Sequence, residues 1–212
     1  RHFHLLVLVV LVVIVHFEHL CFFVFDHFLH EFDCRIILAG VFFFLWFYDY
    51  FGEHYIVRRE FDIDGLRLDV AYCLDENFVR RLRSFCDSLK PDFFLVGEML
   101  HGDYNRLMND SMLHSATNYE CYKGLYSSFN SMNMFEIVHS LLRQFGPENW
   151  TLYKGKHLLS FVDNHDVTRV ASILTNEKHL PLIYALMFGM PGIPCVYYGS
   201  EWGAKGEKSQ GD

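Results

Sequence analysis

The 212-residue chain has no excess of basic residues, and this absence limits what it can bind. Its 18 lysines and arginines are outnumbered by 26 aspartates and glutamates, which gives a formal net charge of −8. Such a chain has no electrostatic footprint for nucleic acid and no attraction to anionic membrane surfaces. We therefore expect neither nucleic acid nor a membrane among its partners.

The sequence also lacks any Cys-x-x-Cys pair, so the spacing typical of zinc sites and redox motifs is missing. Scattered cysteines are more typical of free, mostly buried thiols in a reducing compartment than of a disulfide framework. The sequence therefore predicts a cytoplasmic protein. The six cysteines are Cys21, Cys34, Cys73, Cys86, Cys121 and Cys195.

No apolar run is long enough to cross a bilayer. The run over residues 5–15, "LLVLVVLVVIV", is eleven residues long, whereas a spanning helix needs about 18 or more. A signal peptide is the other reading, but no small-residue cleavage site follows the run. A buried parallel strand explains the run better than a targeting segment does.

Composition changes along the chain without a linker. Residues 1–61 hold 13 of the 22 phenylalanines and 7 of the 13 histidines, while residues 62–212 have an ordinary composition. No stretch rich in proline, glycine or serine separates the two parts. We therefore interpret residues 1–212 as one domain with an atypical first part.

Strands and helices alternate in the predicted secondary structure. After residue 61, strands are predicted over 65–70, 92–98, 157–162 and 193–199, and helices over 134–144 and 178–190. A further helix begins after Asp75 and ends at Pro91, with apolar residues at helical spacing. The first part is assigned strands over 5–15 and 34–42 and helices over 22–32 and 50–61. Such alternation favours an α/β fold with a parallel sheet or barrel.

Carboxylates fall at the ends of two successive predicted strands. Asp69 ends one strand and Glu98 ends the next, so in a parallel sheet both lie on the same rim. Arg67, two residues before Asp69, projects to the same side. Two carboxylates about 5 Å apart can cleave a glycosidic bond with retention of configuration.

A later strand adds a third carboxylate at the same predicted rim. Asp166 follows the strand over 157–162 and is preceded by Asn164 and His165. A third carboxylate can stabilise the positive charge that develops on the sugar. Each residue alone is more often a loop or cap residue, but their joint placement at strand ends indicates a catalytic site.

Four stretches resemble successive motifs of the alpha-amylase family of glycoside hydrolases: "DGLRLDVAY", "FLVGEML", "FVDNHDVTR" and "MPGIPCVYYGSEWG". They are most similar to the cyclomaltodextrinase, neopullulanase and maltodextrin-glucosidase group. The resemblance implies a (β/α)8 TIM-type barrel. It also implies carbohydrate metabolism as the role, with α-linked glucans of the maltodextrin or starch type as oligosaccharide substrates and a retaining double displacement as the mechanism.

The resemblance also implies residue roles. Asp69 is then the nucleophile, Glu98 the acid/base and Asp166 the transition-state stabiliser. Substrate-binding roles are implied for Arg67, His165, Asn164, Tyr119 and Tyr198.

One earlier motif of the family departs from the pattern. In "LAGVFFF" (38–44), Ala39 replaces an aspartate, Phe43 an asparagine and Phe44 a histidine. Some members bind calcium here, but Phe43 stands at the usual ligand position, so we expect no metal or cofactor. The short interval before residue 65 and the end at residue 212 predict a compact or incomplete barrel without the inserted small domain or the C-terminal β-domain. The altered motif predicts weak activity.

Two alternatives remain open. His16-x-x-His19, His27-x-x-His30 and Glu31 could form a metal site if helical spacing brings them to one face. The chain could also be an inert barrel fragment, or a structural or interaction protein derived from this family. The preferred glucan, hydrolysis versus transfer, and the oligomeric state do not follow from the sequence.

Overall fold

The computed structural model describes residues 64–208, which fall into two compact units. The described part of the first unit is residues 64–98 and 109–113, and that of the second is residues 99–108 and 114–208. The elements predicted over residues 5–61 lie outside the described residues. The prediction of one domain over residues 1–212 stays a prediction.

The first unit contains a strand–helix–strand motif. Strand β1 (Gly65–Leu68) is followed by helix α1 (Glu76–Leu89) and strand β2 (Phe94–Gly97). The strands pair in parallel, with Gly65 opposite Phe94 and Leu68 opposite Gly97. All three elements were predicted, although both strands are shorter than the sequence pattern suggested.

Helix α1 forms for the reasons that its sequence indicated. The Asp75 carboxylate caps its first turn by accepting a hydrogen bond of 3.0 Å from the Phe78 N–H. The helix ends at Leu89, before Pro91. Phe85 is only half-buried, and the thiol-bearing Cys86 lies in the apolar face instead. The residues that make up this buried face are Phe78, Val79, Leu82, Cys86 and Leu89.

The second unit has a longer series of elements, which runs from β3 (Ser115–Ala116) through α2 (Tyr119–Ser131), α3 (Phe135–Phe145), β4 (Leu159–Phe161), α4 (Val170–Ile173) and α5 (Leu180–Gly189) to β5 (Ile193–Cys195). Strands β4 and β5 pair in parallel, with Leu159 opposite Ile193. An isolated parallel bridge joins Thr117, just after β3, to Leu159. Gly192 permits the start of β5 to approach β4, because its φ is 124° and an added Cβ would lie 2.6 Å from the Leu158 carbonyl oxygen.

The core of the second unit lies among α2, α3, α5 and the segments that flank β4. Its buried members are Cys121, Leu125, Phe129, Ile137, Val162, Val170, Leu174, Ile183, Met187 and Met190. The helix over 134–144 and the strands over 157–162 and 193–199 were predicted, again with strands that are too long. Helix α2 was not predicted, because small or polar residues such as Gly124 and Ser128 occupy part of its buried face and obscure the apolar period.

Two further findings concern the described part of the chain. Over residues 64–208, no helix has the length and apolar character needed to span a bilayer. The four cysteines in that range, Cys73, Cys86, Cys121 and Cys195, are free thiols, as the scattered spacing predicted.

Candidate active site

The first unit brings Asp69 and Glu98 together at one edge of its strand pair. Asp69 follows the last residue of β1 and Glu98 follows the last residue of β2. Since Leu68 and Gly97 are register partners in a parallel pair, the two carboxylates leave the sheet side by side at its carboxyl edge. The Glu98 N–H donates to the Leu68 carbonyl at 2.8 Å and extends the ladder to this point.

Arg67 joins the two carboxylates. Its Nη1 donates to Asp69 Oδ1 and its Nη2 donates to Glu98 Oε1, each at 2.7 Å. The two acids differ in exposure, because the Asp69 side chain is 55% exposed and the Glu98 side chain only 6%. The Arg67 guanidinium therefore holds the exposed Asp69 carboxylate beside the buried Glu98 carboxylate.

A strained turn completes the surroundings of Glu98. Val70 has φ 47° and ψ 39°, a left-handed conformation that is rare for a β-branched residue. In this conformation its N–H donates to Glu98 Oε2 at 3.2 Å, and the next N–H, from Ala71, donates to the Glu98 carbonyl at 3.0 Å. Strain of this kind persists where surrounding contacts over-determine the backbone, and it clusters at functional sites.

The second unit presents the other predicted group of site residues. Beyond the end of β4 at Phe161, His165 Nε2 lies 3.0 Å from Asp166 Oδ2. The Asp166 side chain is 45% exposed. Asn164 supports this pair, because its Oδ1 accepts the Asp166 N–H at 2.8 Å.

Tyr119 contacts this loop through a side-chain hydrogen bond. The Asn164 amide donates to the Tyr119 hydroxyl at 2.9 Å. The Tyr119 ring packs edge-on against Phe161, with ring centroids 4.8 Å apart. Within the second unit, the structure thus brings Tyr119, Asn164, His165 and Asp166 together, while their roles at a sugar stay predictions.

Tyr198 lies on the segment that follows β5. Its ring is exposed and packs edge-on against Tyr197, with centroids 4.7 Å apart. Nearby, burial raises the pKa of the Cys195 thiol above its usual value, and burial raises the pKa of the Tyr184 hydroxyl to about 12. Burial thus disfavours the ionised form of both groups.

Three residues that contribute to the site were not predicted from the sequence. Val70 is a β-branched residue, for which a left-handed turn would not be expected, whereas a glycine there would have signalled the turn. Asp163 and Arg169, which flank the loop that carries Asp166, are buried among partners on the segment after β5. Both were within a quoted motif, but neither was assigned a role.

Several other predicted features lie outside the described residues or are not tested by the structure. Ala39, Phe43, Phe44 and the histidine pairs of the first part lie outside the described residues. Within residues 64–208, no three histidine, cysteine, aspartate or glutamate side chains are grouped so that they could hold a metal ion. Because Asp69 and Glu98 belong to one unit and Asp166 to the other, convergence of all three carboxylates stays a prediction.

Comparison with known proteins identifies the family. The sequence model described as "Alpha amylase, catalytic domain" matches residues 48–212. The "Intracellular maltogenic amylase" of Bacillus subtilis strain 168 is 33% identical over 152 residues, which cover 70% of this chain and 25% of that protein. The "Cyclomaltodextrinase" of Geobacillus thermopakistaniensis is 29% identical over 157 residues, with the same coverage.

Solved structures agree with this result. The chain is similar to the alpha-amylase of Anoxybacillus, with 26% identity and a TM-score of 0.60 over 69% of this chain and 33% of that one. The chain belongs to the alpha-amylase family, whose catalytic domain is a TIM barrel. The parallel pairs β1–β2 and β4–β5, each with helices between its strands, agree with that fold. The chain spans about a quarter of the length of the curated relatives named above.

Proposed function

We propose that this chain hydrolyses α-glucosidic bonds in glucans of the maltodextrin or starch type by a retaining double displacement. The observation that carries the proposal is the contact of one guanidinium, from Arg67, with both Asp69 and Glu98 at adjacent strand ends. Paired carboxylates in such a position fit the retaining reaction.

The two carboxylates take different roles in the proposed reaction. Asp69 is the open member of the pair, so its carboxylate can approach the anomeric carbon and form a covalent ester. The glycosidic C–O bond breaks as Glu98 gives its proton to the leaving oxygen. Glu98 then takes a proton from water, the water oxygen attacks the same carbon, and the Asp69 carboxylate is released.

The groups after β4 and β5 complete the proposal. Asp166 would stabilise the positive charge on the sugar in both transition states. Its contact with His165, and the Asn164–Tyr119 hydrogen bond beneath it, support a fixed position for this carboxylate. The remaining substrate contacts are assigned to Arg67, Asn164, His165, Tyr119 and Tyr198.

The names of the relatives guide the choice of substrate and location. The Bacillus subtilis relative is named an intracellular maltogenic amylase and the Geobacillus relative a cyclomaltodextrinase. We therefore propose linear and cyclic maltooligosaccharides as substrates, and a cytoplasmic location for the protein. No cofactor is assigned to the reaction.

The proposed activity is weak. Phe44 replaces a histidine that the family resemblance places on the reactive sugar, and loss of one transition-state hydrogen bond commonly lowers the rate about 10²–10³-fold. Restoring the pattern with Ala39→Asp and Phe44→His together should raise kcat more than it changes KM. A folded double variant that is no faster would show that this motif does not limit turnover.

Release of reducing sugar from maltoheptaose, cyclodextrin and pullulan tests the proposal directly. The Asp69→Asn and Glu98→Gln variants should each lose activity by at least about a thousandfold. Asp87→Asn is the matched control, because Asp87 is an exposed carboxylate paired with Arg83 on α1. NMR of the first sugar released should show the α-anomer. Equal rates for wild type and Asp69→Asn, or no release at all, would contradict the proposal.

A further inference from the structure

The loop between β4 and α4 is anchored near its start by a buried carboxylate. Asp163 is 1% exposed. Its two oxygens accept from the Ser200 hydroxyl at 3.0 and 3.1 Å, and one of them accepts the Val170 N–H at 3.0 Å. A carboxylate buried this deeply must be hydrogen-bonded, because an unsatisfied one is strongly unfavourable. Asp163 and Ser200 therefore fix the start of the loop to the segment after β5.

The last residue before α4 is a second anchor. Arg169 is 4% exposed, and its guanidinium carbon lies 4.3 Å from the ring centroid of Tyr197 and 4.9 Å from that of Tyr198. Its Nη1 donates to the Tyr198 carbonyl. Its backbone N–H donates to the Gly206 carbonyl at 3.0 Å. A planar guanidinium can stack on an aromatic ring and at the same time direct an N–H at an acceptor, whereas a lysine ammonium cannot.

The turn after β5 that contacts the second anchor contains a glycine. Gly199 has φ 82°, a conformation that side chains other than glycine rarely adopt. An added Cβ there would lie 3.5 Å from Arg169 Nη1 and 3.2 Å from the Ala204 Cβ. The positive φ and the close approach to Ala204 therefore favour glycine in the turn that carries Tyr198 and Ser200.

The residues between the two anchors are less buried than the anchors themselves. His165 and Asp166 contact each other but are about half-exposed, so their own packing does little to hold them in place. A reactive group on a loop keeps its geometry only when surrounding contacts lock the loop.

We infer that Asp163, Ser200 and Arg169 form a clamp that positions the His165–Asp166 pair. This inference rests on the proposed function for its catalytic consequence. Ser200 and Arg169 are then positioning residues that act through the loop and not through contact with the sugar. Arg169 contacts both the ring and the carbonyl of Tyr198. It therefore fixes the proposed substrate-binding tyrosine relative to the loop that contains Asp166.

Two variants remove the anchors one at a time. Ser200→Ala removes the hydroxyl that Asp163 accepts from, and Arg169→Lys keeps the charge but removes the stacked plane. Ser115→Ala is the control for the first, because the Ser115 hydroxyl is also buried and donates at 2.7 Å to the His157 carbonyl. Arg143→Lys is the control for the second, since Arg143 forms an exposed pair with Glu120.

Hydrogen exchange on the full chain measures the clamp without reference to activity. The amides of residues 164–168 should exchange about tenfold faster in Ser200→Ala and Arg169→Lys than in wild type, while those of α2 should not change. Neither control should alter exchange in the loop. Unchanged loop exchange in both clamp variants would overturn the inference, whether or not the chain is active.

Kinetics on maltoheptaose tests the catalytic consequence. Both clamp variants should lower kcat about ten- to hundredfold, because a small misplacement of a catalytic group has effects of this size. KM should stay within about twofold, and the Ser115→Ala control should keep its kcat, because a general structural loss would lower the active fraction in that control as well. Faster exchange with unchanged kcat would overturn the positioning role. An inactive wild-type chain would instead overturn the proposed function, and exchange would still decide the clamp.

Discussion

The two sites that carry the proposed catalytic carboxylates are held in different ways. In the first unit, Asp69 and Glu98 are held by direct side-chain contact with Arg67. In the second unit, Asp166 is held mainly through its backbone, whose N–H donates to Asn164 at 2.8 Å. Buried neighbours anchor the ends of that loop.

Because of this difference, removal of a charge should affect stability at one site and mainly activity at the other. Glu98 is a recessed carboxylate paired with Arg67, so removal of the guanidinium leaves an uncompensated charge. Asp166 is half-exposed, and an exposed contact such as the one with His165 contributes little to stability. The first site should therefore be sensitive to charge removal, whereas the second should tolerate it and fail only in activity.

The largest expected effect is loss of the Arg67 guanidinium. Arg67→Met leaves the recessed Glu98 carboxylate without its cation, which should lower the free energy of unfolding by about 3–5 kcal/mol. Asp166→Asn should lower it by less than about 0.5 kcal/mol, as expected for an exposed group. Urea unfolding followed by circular dichroism measures both.

Two further variants sharpen this contrast. Arg80→Met removes an exposed pair with Glu76 on α1 and should cost no more than about 0.5 kcal/mol. The double variant Arg67→Met with Glu98→Gln should recover part of the lost stability, because no buried charge remains. Equal losses for Arg67→Met and Arg80→Met would mean that the recessed pair is not the source of the sensitivity.

The comparison also shows which parts of the site a sequence can predict. Asp69 and Glu98 were predicted as neighbours, because strand periodicity and the parallel connection place both at one sheet edge. The cap at Asp75 and the helix after it followed from local chemistry and the apolar period. These features follow from the order of residues within one strand–helix–strand motif.

Features that depend on tertiary contact were not predicted. The strands are shorter than their apolar runs, because pairing stops where the neighbouring strand ends. The left-handed Val70 has no local signal, since its conformation is stabilised by the Glu98 contacts and not by its side chain. The clamp around Asp163 needs Ser200, which is 37 positions away in the chain.

The next largest effect concerns a buried neutral pair in the second unit. Asn118 and Gln144 exchange two amide hydrogen bonds of 3.0 Å, and both residues are fully buried. Gln144→Leu leaves the Asn118 amide without these partners and should lower the free energy of unfolding by about 1–3 kcal/mol. His139→Leu, an exposed change on the same helix, should stay within about 0.5 kcal/mol.

This measurement compares a neutral pair with the charged pair of the first unit. The Gln144→Leu loss should be smaller than the Arg67→Met loss, because the group left unpaired is an amide and not a carboxylate. A larger loss for Gln144→Leu would reverse the proposed contrast between the two units.

Alkaline pH should affect the two units alike. Burial raises the pKa of the Cys86 thiol in the first unit, and of the Cys121 thiol in the second, from 9.0 to about 12. Because the folded-state pKa is the higher one, this stabilisation is complete below pH 9 and is lost as the pH rises from 9 towards 12. Each thiol should account for about 1.4 kcal/mol of lost stability at pH 10.

Alanine variants isolate this contribution. Wild type should lose more stability between pH 8 and pH 10 than Cys86→Ala or Cys121→Ala does, by about 1.4 kcal/mol in each case. The difference between the two pH values is the quantity to compare, since both variants also leave a cavity. A pH dependence that matches wild type would show that the thiol is not protected by burial.

The smallest expected effect tests backbone strain in each unit. Val70 in the first unit and Met132 in the second are the two residues other than glycine, within 64–208, that have positive φ, at 47° and 54°.

Met132 directly follows α2 and is 75% exposed, so Met132→Gly relieves strain without loss of packing. It should raise the free energy of unfolding by about 0.5–1 kcal/mol, with activity unchanged. Met134→Gly is the control, because φ there is −84° and glycine should destabilise it slightly. Val70→Gly keeps the N–H that Glu98 accepts and relieves similar strain, but it removes the valine side chain and loosens the backbone beside Glu98, so its stability should change less and its kcat should fall. Equal gains in stability for Val70→Gly and Met132→Gly, with activity intact in both, would show that the strain at Val70 serves no purpose at the site.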